Sequence, residues 1–428
     1  MENWQDISKQ KCSPSSLEIR NSETFKRLQE EIMGRIDLTR HLEEEELEEV
    51  IDKELLKDEK VKTLNLETKK LLRQEIFYAI RRLGILQELL ADSEVTEVMV
   101  NGTEPIFVEK GGKLQQLPVR FDMAGKLNHV IQQIVADCNR VVNEASPIVD
   151  ARLKDGSRVN VVLAPVAING PILTIRRFPE KAITMKDLVA YGSVTEEVSL
   201  FLEKLVIAGY NILVSGATGC GKTTFLNVLS GFIPENERVI TIEDSAELQL
   251  ARQPNLVRLE TRNAEVEGCR EITIRDLIKT SLRMRPDRII VGEVRGKEAV
   301  DMLQSVNVGH NAMTTVHANS VRDVVSRLET MVLMGMELPL LAIRKQITAG
   351  FDLMIHLAKT RDGKRRVMEI AEPVGVQEGE VRLNTLYLFE ESEINFSEEK
   401  AGTVMGSLVK KGELQHVEKL KAAGYQTK

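Results

Sequence analysis

The hydrophobic pattern changes along the chain from helical spacing to short, strand-like runs. Within residues 1–65, the apolar residues that recur at helical spacing are Phe25, Leu28, Ile32 and Ile36. This spacing predicts an amphipathic helix. From about Val95 onward, short apolar runs flank turn pairs such as Asp155-Gly156, a pattern typical of strands. We therefore expect a variable helical region over residues 1–65 and a small α+β domain over residues 66–178.

The second half of the chain alternates strand-like runs with helical patterns. The strand-like runs include Asn211–Ser215, Arg238–Ile242 and Arg288–Val291, with a later hairpin around Asp362-Gly363. Regular alternation of this kind predicts an α/β fold, in which helices cover both faces of a mostly parallel sheet. We expect this domain to span residues 191–395, after a linker at residues 179–190 and before a C-terminal tail at residues 396–428.

Ser193 and Glu196 have the spacing of a capping box near the start of this domain. In a capping box, each of the two side chains bonds a backbone N–H group that the helix start leaves unpaired. We therefore expect the first helix of the domain to be capped by Ser193 and to end at Gly209.

Composition narrows the choice of partners. The 58 Lys and Arg residues are outnumbered by 65 Asp and Glu residues, and the resulting net charge of −7 argues against a nucleic-acid partner. No apolar run approaches the roughly 18 residues that a membrane-spanning helix needs, so a membrane role requires a partner protein. The four cysteines, Cys12, Cys138, Cys220 and Cys269, form no CxxC pair, so we expect no zinc module.

The strongest functional signal is a phosphate-binding loop of the pattern GxxxxGK[ST]. It consists of Gly216, Ala217, Thr218, Gly219, Cys220, Gly221, Lys222 and Thr223, and Thr224 follows it. Glycines let successive backbone N–H groups face the phosphates, and the start of the next helix adds positive charge. We assign this segment, with Thr224, to ATP binding. Lys222 is expected to reach the β- and γ-phosphates, and Thr223 to place its hydroxyl on Mg²⁺.

Hydrolysis also needs acidic groups near the terminal phosphate, and two positions qualify. Glu243 and Asp244 follow one apolar strand, and Glu293 follows another. Residues just past the carboxyl ends of strands in open α/β sheets face the ligand crevice. Glu243 and Glu293 are therefore candidates for orienting water and for the metal side of the site. By residue chemistry alone, His317 is either a structural or a catalytic histidine.

Arginines of the small domain precede the phosphate loop. Arg158 and Arg176 lie on predicted strands there. A guanidinium group supplied from outside the loop can neutralise charge in the transition state of phosphoryl transfer. The alternative for each of them is an ordinary surface ion pair.

Together these motifs resemble the secretion ATPase superfamily, and most closely its CpaF-type branch, which is associated with Flp/Tad pilus assembly. The resemblance runs from about Leu83 to the C-terminus. Besides the phosphate loop, it rests on the stretches Val98–Gly102, Asp150–Asn160, Leu173–Phe178, Ile242–Asp244, Leu282–Gly296 and Gly309–Asn319. Two departures from the family pattern are Cys220, where Ser is more usual, and Asn311–Met313, which replaces a more polar stretch.

The resemblance implies a role for each candidate residue. Glu243 falls in the Asp box, as the general base or water-orienting group. Glu293 falls in an atypical Walker B segment that acts on Mg²⁺, and His317 falls in the His box, on the γ-phosphate side. Arg158 and Arg176 match positions that donate positive charge to the nucleotide. The implied fold of the larger domain is a RecA-like phosphate-loop ATPase, and the implied assembly is a homohexamer.

The function implied by this resemblance is that of an ATP-hydrolysing hexameric motor. It would lie in the cytoplasm at the inner face of the cytoplasmic membrane and power Flp/Tad-type pilus assembly or type II/IV secretion through an inner-membrane platform protein. A conjugation-type secretion ATPase that moves DNA or effectors remains an alternative. So do a nucleotide-switched scaffold with little turnover and a phosphate-loop NTPase without a membrane partner.

Overall fold

A computed structural model defines the architecture of the chain. It describes residues 19, 22–33, 44–81, 85–111, 113–121, 124–138, 140–153, 155–177, 183–262, 270–392 and 404–426. The chain divides into two compact units, Met1–Glu180 and Lys181–Lys428. Within those described residues, no helix has the length and apolar character needed to cross a bilayer.

The first unit begins with a group of helices that has its own hydrophobic core. These helices are α1 (Glu23–Met33), α2 (Glu44–Lys57), α3 (Glu59–Lys62) and α4 (Leu66–Arg81). The predicted apolar stripe is confirmed at Phe25, Leu28 and Ile32, which are buried, whereas Ile36 lies outside the described residues. Helix α4, which we expected to open the α+β domain, buries its apolar face in this same core.

The rest of the first unit is a small α+β domain. Its elements are α5 (Ile85–Ala91), β1 (Val95–Asn101), β2 (Phe107–Lys110), β3 (Lys113–Gln116), α6 (Ala124–Asp137), β4 (Ile148–Arg152), β5 (Arg158–Val162) and β6 (Ile172–Arg176). The strands form one antiparallel sheet in the order β3-β2-β1-β6-β5-β4. The hairpin predicted around Asp155-Gly156 is confirmed, because β4 and β5 pair on either side of it. Apolar residues of α6 and of the sheet share one core.

The second unit is built on a nine-stranded sheet. Its elements are α7 (Met185–Ala190), α8 (Glu196–Ile207), β7 (Ile212–Gly216), α9 (Lys222–Ser230), β8 (Val239–Glu243), β9 (Leu256–Glu260), α10 (Ile274–Ser281), β10 (Arg288–Val294), α11 (Ala299–Asn307), β11 (Asn311–Val316), α12 (Val321–Gly335), α13 (Leu340–Gly350), β12 (Leu353–Lys359), β13 (Arg365–Gln377), β14 (Glu380–Glu391), β15 (Gly406–Lys410) and α14 (Glu418–Ala422). The strand order is β15-β14-β13-β12-β7-β11-β10-β8-β9.

The predicted mostly parallel sheet is confirmed. Strands β12, β7, β11, β10, β8 and β9 run parallel to one another, and β13, β14 and β15 extend the sheet beyond β12 in antiparallel fashion. Every residue of β7 and β8 is buried. One hydrophobic core contains α8 and α9, and a second contains α10 to α13. Burial of whole strands is the expected result of helices on both faces of a parallel sheet.

The capping-box prediction for this unit is wrong. Helix α8 starts at Glu196, and its N-cap is Thr195, whose hydroxyl accepts a hydrogen bond from the N–H of Val198 at 3.3 Å. Ser193 lies in the preceding turn, where its carbonyl oxygen accepts a hydrogen bond from the N–H of Val367 on β13. This long-range bond fixes the backbone of Ser193 before the helix begins.

Two segments that we expected outside the larger domain take part in its fold. The predicted linker contains α7, whose residues Met185 and Leu188 join the core. The predicted tail contains β15, which pairs with β14, and α14, which buries Leu420 in the same core. The predicted hairpin around Asp362-Gly363 is confirmed by the antiparallel pairing of β12 and β13.

Candidate active site

The phosphate loop joins the buried strand β7 to helix α9. Gly219 and Gly221 have φ angles of +73° and +93°, a region that favours glycine. Gly216 is needed for space as well, because a Cβ there would lie 2.4 Å from both Sγ of Cys220 and the carbonyl oxygen of Leu357. The backbone therefore curls tightly at the carboxyl end of a strand and at the start of a helix. Such a curl presents backbone N–H groups to a phosphate.

Lys222, His317 and Glu293 form a chain of contacts beside the loop. Nζ of Lys222 donates to the carbonyl oxygen of Ala217 at 3.1 Å and lies 3.2 Å from Nδ1 of His317. Nε2 of His317 lies 2.9 Å from Oε1 of Glu293, without the alignment of a hydrogen bond. Arg295 pairs with the other oxygen of Glu293 at 3.0 Å. The carboxyl ends of the neighbouring strands β10 and β11 bring Glu293 and His317 together, and Lys222 reaches them from the start of α9.

Burial shifts the pKa values of Lys222 and His317 in this chain of contacts. It lowers the pKa of Lys222, because an ammonium group loses hydration there. Burial is also the main cause of the lowered pKa of His317. The negative charge of Glu293 opposes that effect, and the positive charges of Lys222 and Arg295 add to it. The imidazole of His317 is therefore neutral at neutral pH.

Glu243 ends β8 and is buried, with 3% of its surface exposed. Its Oε1 accepts hydrogen bonds from the N–H groups of Glu247 and Leu248 at 2.8 and 3.0 Å. Its Oε2 is buried and has no hydrogen-bond partner among the described residues. Burial raises the pKa of Glu243 to about 7. A carboxyl group that titrates near neutral pH and keeps one acceptor open suits the acceptance of a proton.

Gly292 on β10 makes the room that Glu243 occupies. A Cβ at this position would lie 3.0 Å from Cγ of Glu243. Gly292 also precedes Glu293, and its carbonyl oxygen accepts a hydrogen bond from the hydroxyl of Thr315 at 2.7 Å. The structure therefore sets Glu243 beside the strand that carries Glu293, although the two carboxylates are not joined by a direct bond.

The donors present fit a magnesium ion. Thr223 is the second residue of α9, directly after Lys222, and its side chain is partly exposed. Oε1 of Glu293 is a buried carboxylate oxygen without a hydrogen bond. Mg²⁺ prefers oxygen donors and is commonly held by one or two protein groups together with substrate phosphates. Thr223 and Glu293 supply donors of this kind at the edge of the loop.

Arg158 and Arg176 lie in the first unit and form part of a row of arginines. Arg158 on β5 is directly opposite Arg176 on β6, and Arg152 on β4 is directly opposite Arg158. Glu97 on β1 ends the row opposite Arg176. Directly opposed residues of antiparallel strands share a face of the sheet, and like charges in that arrangement are destabilising. Arg158 and Arg176 lie on the strands predicted for them, and their contact with nucleotide phosphates stays a prediction.

Two arginines of the second unit contact Glu293 and the phosphate loop, although no motif in the sequence marks them. Arg295 bonds Glu293 and also approaches Asp244 at 3.3 Å. Its position two residues after Glu293, a spacing that places residues on one face of a strand, could have indicated this contact. Arg365 on β13 donates from Nε to the carbonyl oxygen of Gly219 at 2.8 Å, across 146 residues of sequence. No local pattern connects those two positions.

Comparison with known proteins adds a family match. Residues 80–385 match the family described as Type II/IV secretion system protein. A Mycobacterium tuberculosis protein named for conjugal transfer is 37% identical over 295 residues, which cover 67% of this chain and 83% of that protein. The conjugal transfer protein TrbB of Rhizobium radiobacter is 31% identical over 291 residues, which cover 66% and 84%.

A solved structure is also similar. The VirB11 ATPase from the Brucella suis type IV secretion system is 27% identical, and the match covers 70% of this chain and 95% of that chain with a TM-score of 0.38. The family match at residues 80–385 includes both the arginine row of the first unit and the phosphate loop of the second.

Proposed function

This chain is an ATPase of the Type II/IV secretion system protein family, and from that premise we propose that it works as a homohexameric motor. The motor hydrolyses ATP at the inner face of the cytoplasmic membrane. It drives an inner-membrane platform protein of a Flp/Tad-type pilus or of a type II/IV secretion system. The CpaF-type motifs of the sequence support the choice of a pilus.

The geometry around the phosphate loop carries the proposal. Lys222, His317 and Glu293 are in contact beside the loop, and Glu243 lies on the next strand with one open carboxylate oxygen. Phosphoryl transfer to water needs positive charge at the terminal phosphate and a group that orients or deprotonates the water. These four side chains supply both at the carboxyl ends of adjacent parallel strands.

Each side chain has a role that suits its surroundings. Lys222 balances the negative charge that develops on the terminal phosphoryl group. His317, which accepts from Lys222 at Nδ1, carries its proton on Nε2, 2.9 Å from Oε1 of Glu293. Glu243 takes the proton of the attacking water on its open oxygen. When bound, Mg²⁺ neutralises phosphate charge, and Thr223 and Glu293 are the residues that would hold it.

A comparison of ATP turnover by the purified protein and by its Lys222→Ala variant tests the ATPase site. Loss of the ammonium group should lower kcat by roughly 100-fold or more, because one preorganised positive charge disappears from the transition state. Lys345→Ala removes an exposed lysine on α13 and serves as the matched control. Circular dichroism should show the same helix content in all three proteins.

Normal turnover by Lys222→Ala would contradict the assignment of the loop as the hydrolytic site. A single-turnover measurement separates the motor from a nucleotide-switched scaffold. A motor converts all bound ATP and turns over again, whereas a scaffold binds ATP and barely releases phosphate.

The similarity to proteins named for conjugal transfer favours a second candidate, which is a conjugation-type secretion ATPase that moves DNA or effectors. Deletion of the gene in the organism that encodes it distinguishes the two. Loss of surface filaments with unchanged DNA transfer supports the pilus motor. Loss of DNA transfer with intact filaments supports the conjugation-type ATPase.

A further inference from the structure

The hairpin between β12 and β13 lies against the phosphate loop. Strand β12 pairs with β7, and Leu357 is directly opposite Gly216 at the start of the loop. Arg365 is the first residue of β13 and is paired with Lys359 on β12. From this position the Nε–H of Arg365 donates to the carbonyl oxygen of Gly219 at 2.8 Å. A side chain of the hairpin therefore holds the turn of the loop.

The contact of Arg365 with the loop is close and depends on a glycine. A Cβ on Gly221 would lie 3.2 Å from Cδ of Arg365, so a side chain at Gly221 would push the guanidinium away. Arg361 and Arg366 of the same hairpin are each paired with a carboxylate. No carboxylate pairs with Arg365 in the part of the chain that the structure describes. The charge of Arg365 is therefore available to an anionic ligand.

The side of the loop on which Arg365 lies determines which part of a nucleotide it meets. Strand β7 stands between β11 and β12 in the sheet. His317 and Glu293 belong to the β11 and β10 side, where the terminal phosphoryl group is handled. Arg365 belongs to the β12 and β13 side. If the terminal phosphate of a bound nucleotide lies near the carboxylates on the β10 side, the nucleotide extends across the loop. Its α-phosphate and nucleoside then lie on the β12 and β13 side.

We propose that Arg365 is a nucleotide-binding residue that holds the turn at Gly219 and places its guanidinium charge at the α-phosphate end of the nucleotide. The inference rests on the proposed ATPase function and adds a residue outside the loop motif. ATP and ADP share the α-phosphate, so Arg365 strengthens the binding of both to the same degree. Its contribution therefore falls on KM and leaves kcat unchanged.

Calorimetric titration of the full chain with MgADP and with a non-hydrolysable MgATP analogue tests this proposal. Arg365→Ala should weaken both affinities by about tenfold or more, the range expected for loss of a charged hydrogen-bonding group. In steady state, KM for ATP should rise by a similar factor, and kcat should stay within about twofold. Lys364→Ala, which removes the neighbouring exposed lysine of the hairpin, should leave both affinities unchanged.

Two further variants of Arg365 separate the effect of its positive charge from the effect of its hydrogen bond to the loop. Arg365→Gln keeps a donor for the carbonyl of Gly219 but removes the charge, whereas Arg365→Lys keeps the charge. The proposal expects Lys to restore most of the ADP affinity and Gln to restore little. Rescue by Gln alone would mean that Arg365 only braces the loop. Arg365→Gln also provides the test if Arg365→Ala fails to fold, which thermal unfolding without nucleotide would reveal.

Three other results would overturn the proposal. They are an unchanged ADP affinity in Arg365→Ala, a larger loss for the ATP analogue than for ADP, and a fall in kcat with normal KM. If the unaltered protein binds neither nucleotide, the proposed ATPase function itself fails. Nucleotide binding by the unaltered protein that Arg365→Ala does not weaken removes only the role of Arg365.

Discussion

Glu243 ends a buried strand with one carboxylate oxygen bonded to two backbone N–H groups and the other without a partner among the described residues. Burial disfavours the charged form and raises its pKa from 4.5 to about 7. Between those pH values the folded protein keeps a proton that the unfolded chain has lost. Folding stability therefore falls as the pH rises through this window. Well above pH 7, ionisation of this buried carboxyl group lowers the free energy of unfolding by about 3 kcal/mol. This is the residue proposed as the general base.

The first prediction from this residue concerns stability and pH. Glu243→Gln should unfold at a higher temperature than the unaltered protein at pH 8.5, because the amide stays neutral where the buried carboxylate must ionise. At pH 5 the folded protein keeps the carboxyl group protonated, and the difference between the two proteins should be much smaller. Thermal unfolding at both pH values measures the effect.

A matched control for this experiment is Glu235→Gln, which changes an exposed carboxylate of the same unit. It should shift the unfolding temperature by a similar small amount at both pH values. If Glu243→Gln gives the same shift at pH 5 and pH 8.5, the carboxyl group of Glu243 does not titrate near pH 7.

The secondary-structure elements place the active site at one edge of the sheet because the central strands are parallel. The loop after β7 and the ends of β8, β10 and β11 lie at one edge of the sheet, so residues far apart in sequence meet there. The start of α8 shows where a local rule is insufficient. Ser193 and Thr195 both precede the helix and both can cap it. Pairing of Ser193 with Val367 on β13 leaves the cap to Thr195.

The cap of α8 gives a prediction at the scale of an element. Thr195→Ala should destabilise the second unit by about 1 kcal/mol, because the N–H of Val198 loses its partner. For a unit of this size, the loss corresponds to a fall of about 2–4 °C in unfolding temperature. Ser193→Ala is the control and should have little effect, since its backbone carbonyl is unchanged. Equal losses in the two variants would contradict the assigned cap.

The whole molecule consists of two units whose hydrophobic cores are separate. The first unit has one core in its helices and another in its antiparallel sheet, and the second has a core on each face of its nine-stranded sheet. The first unit contributes the arginine row, in which Arg152, Arg158 and Arg176 share one face.

The proposed hexameric ring predicts the mass of the assembled protein. Light scattering of the purified protein with a non-hydrolysable ATP analogue should give a particle of six times the chain mass of 48.1 kDa. Binding of nucleotide to an assembled form favours that form by mass action. A protein that remains monomeric both with and without the analogue would contradict the hexameric motor.

The sequence by itself determined the phosphate loop and the class of the fold. Both depend on patterns that span only a few residues. Glycine spacing fixes the backbone of the loop, and alternation of strand and helix patterns fixes a parallel sheet. The sequence also places Glu243, Glu293 and His317 directly after strands. Their location at the site could be predicted because the carboxyl ends of parallel strands face one crevice.

The tertiary structure decided which of these strand ends are neighbours and what surrounds each side chain. The contact of Lys222 with His317, the open oxygen of buried Glu243 and the bond from Arg365 to Gly219 all depend on strand order. Strand order arises from packing between segments far apart in the chain. A local pattern carries no information on such pairing, because the free energy that selects it comes from burial in the complete core.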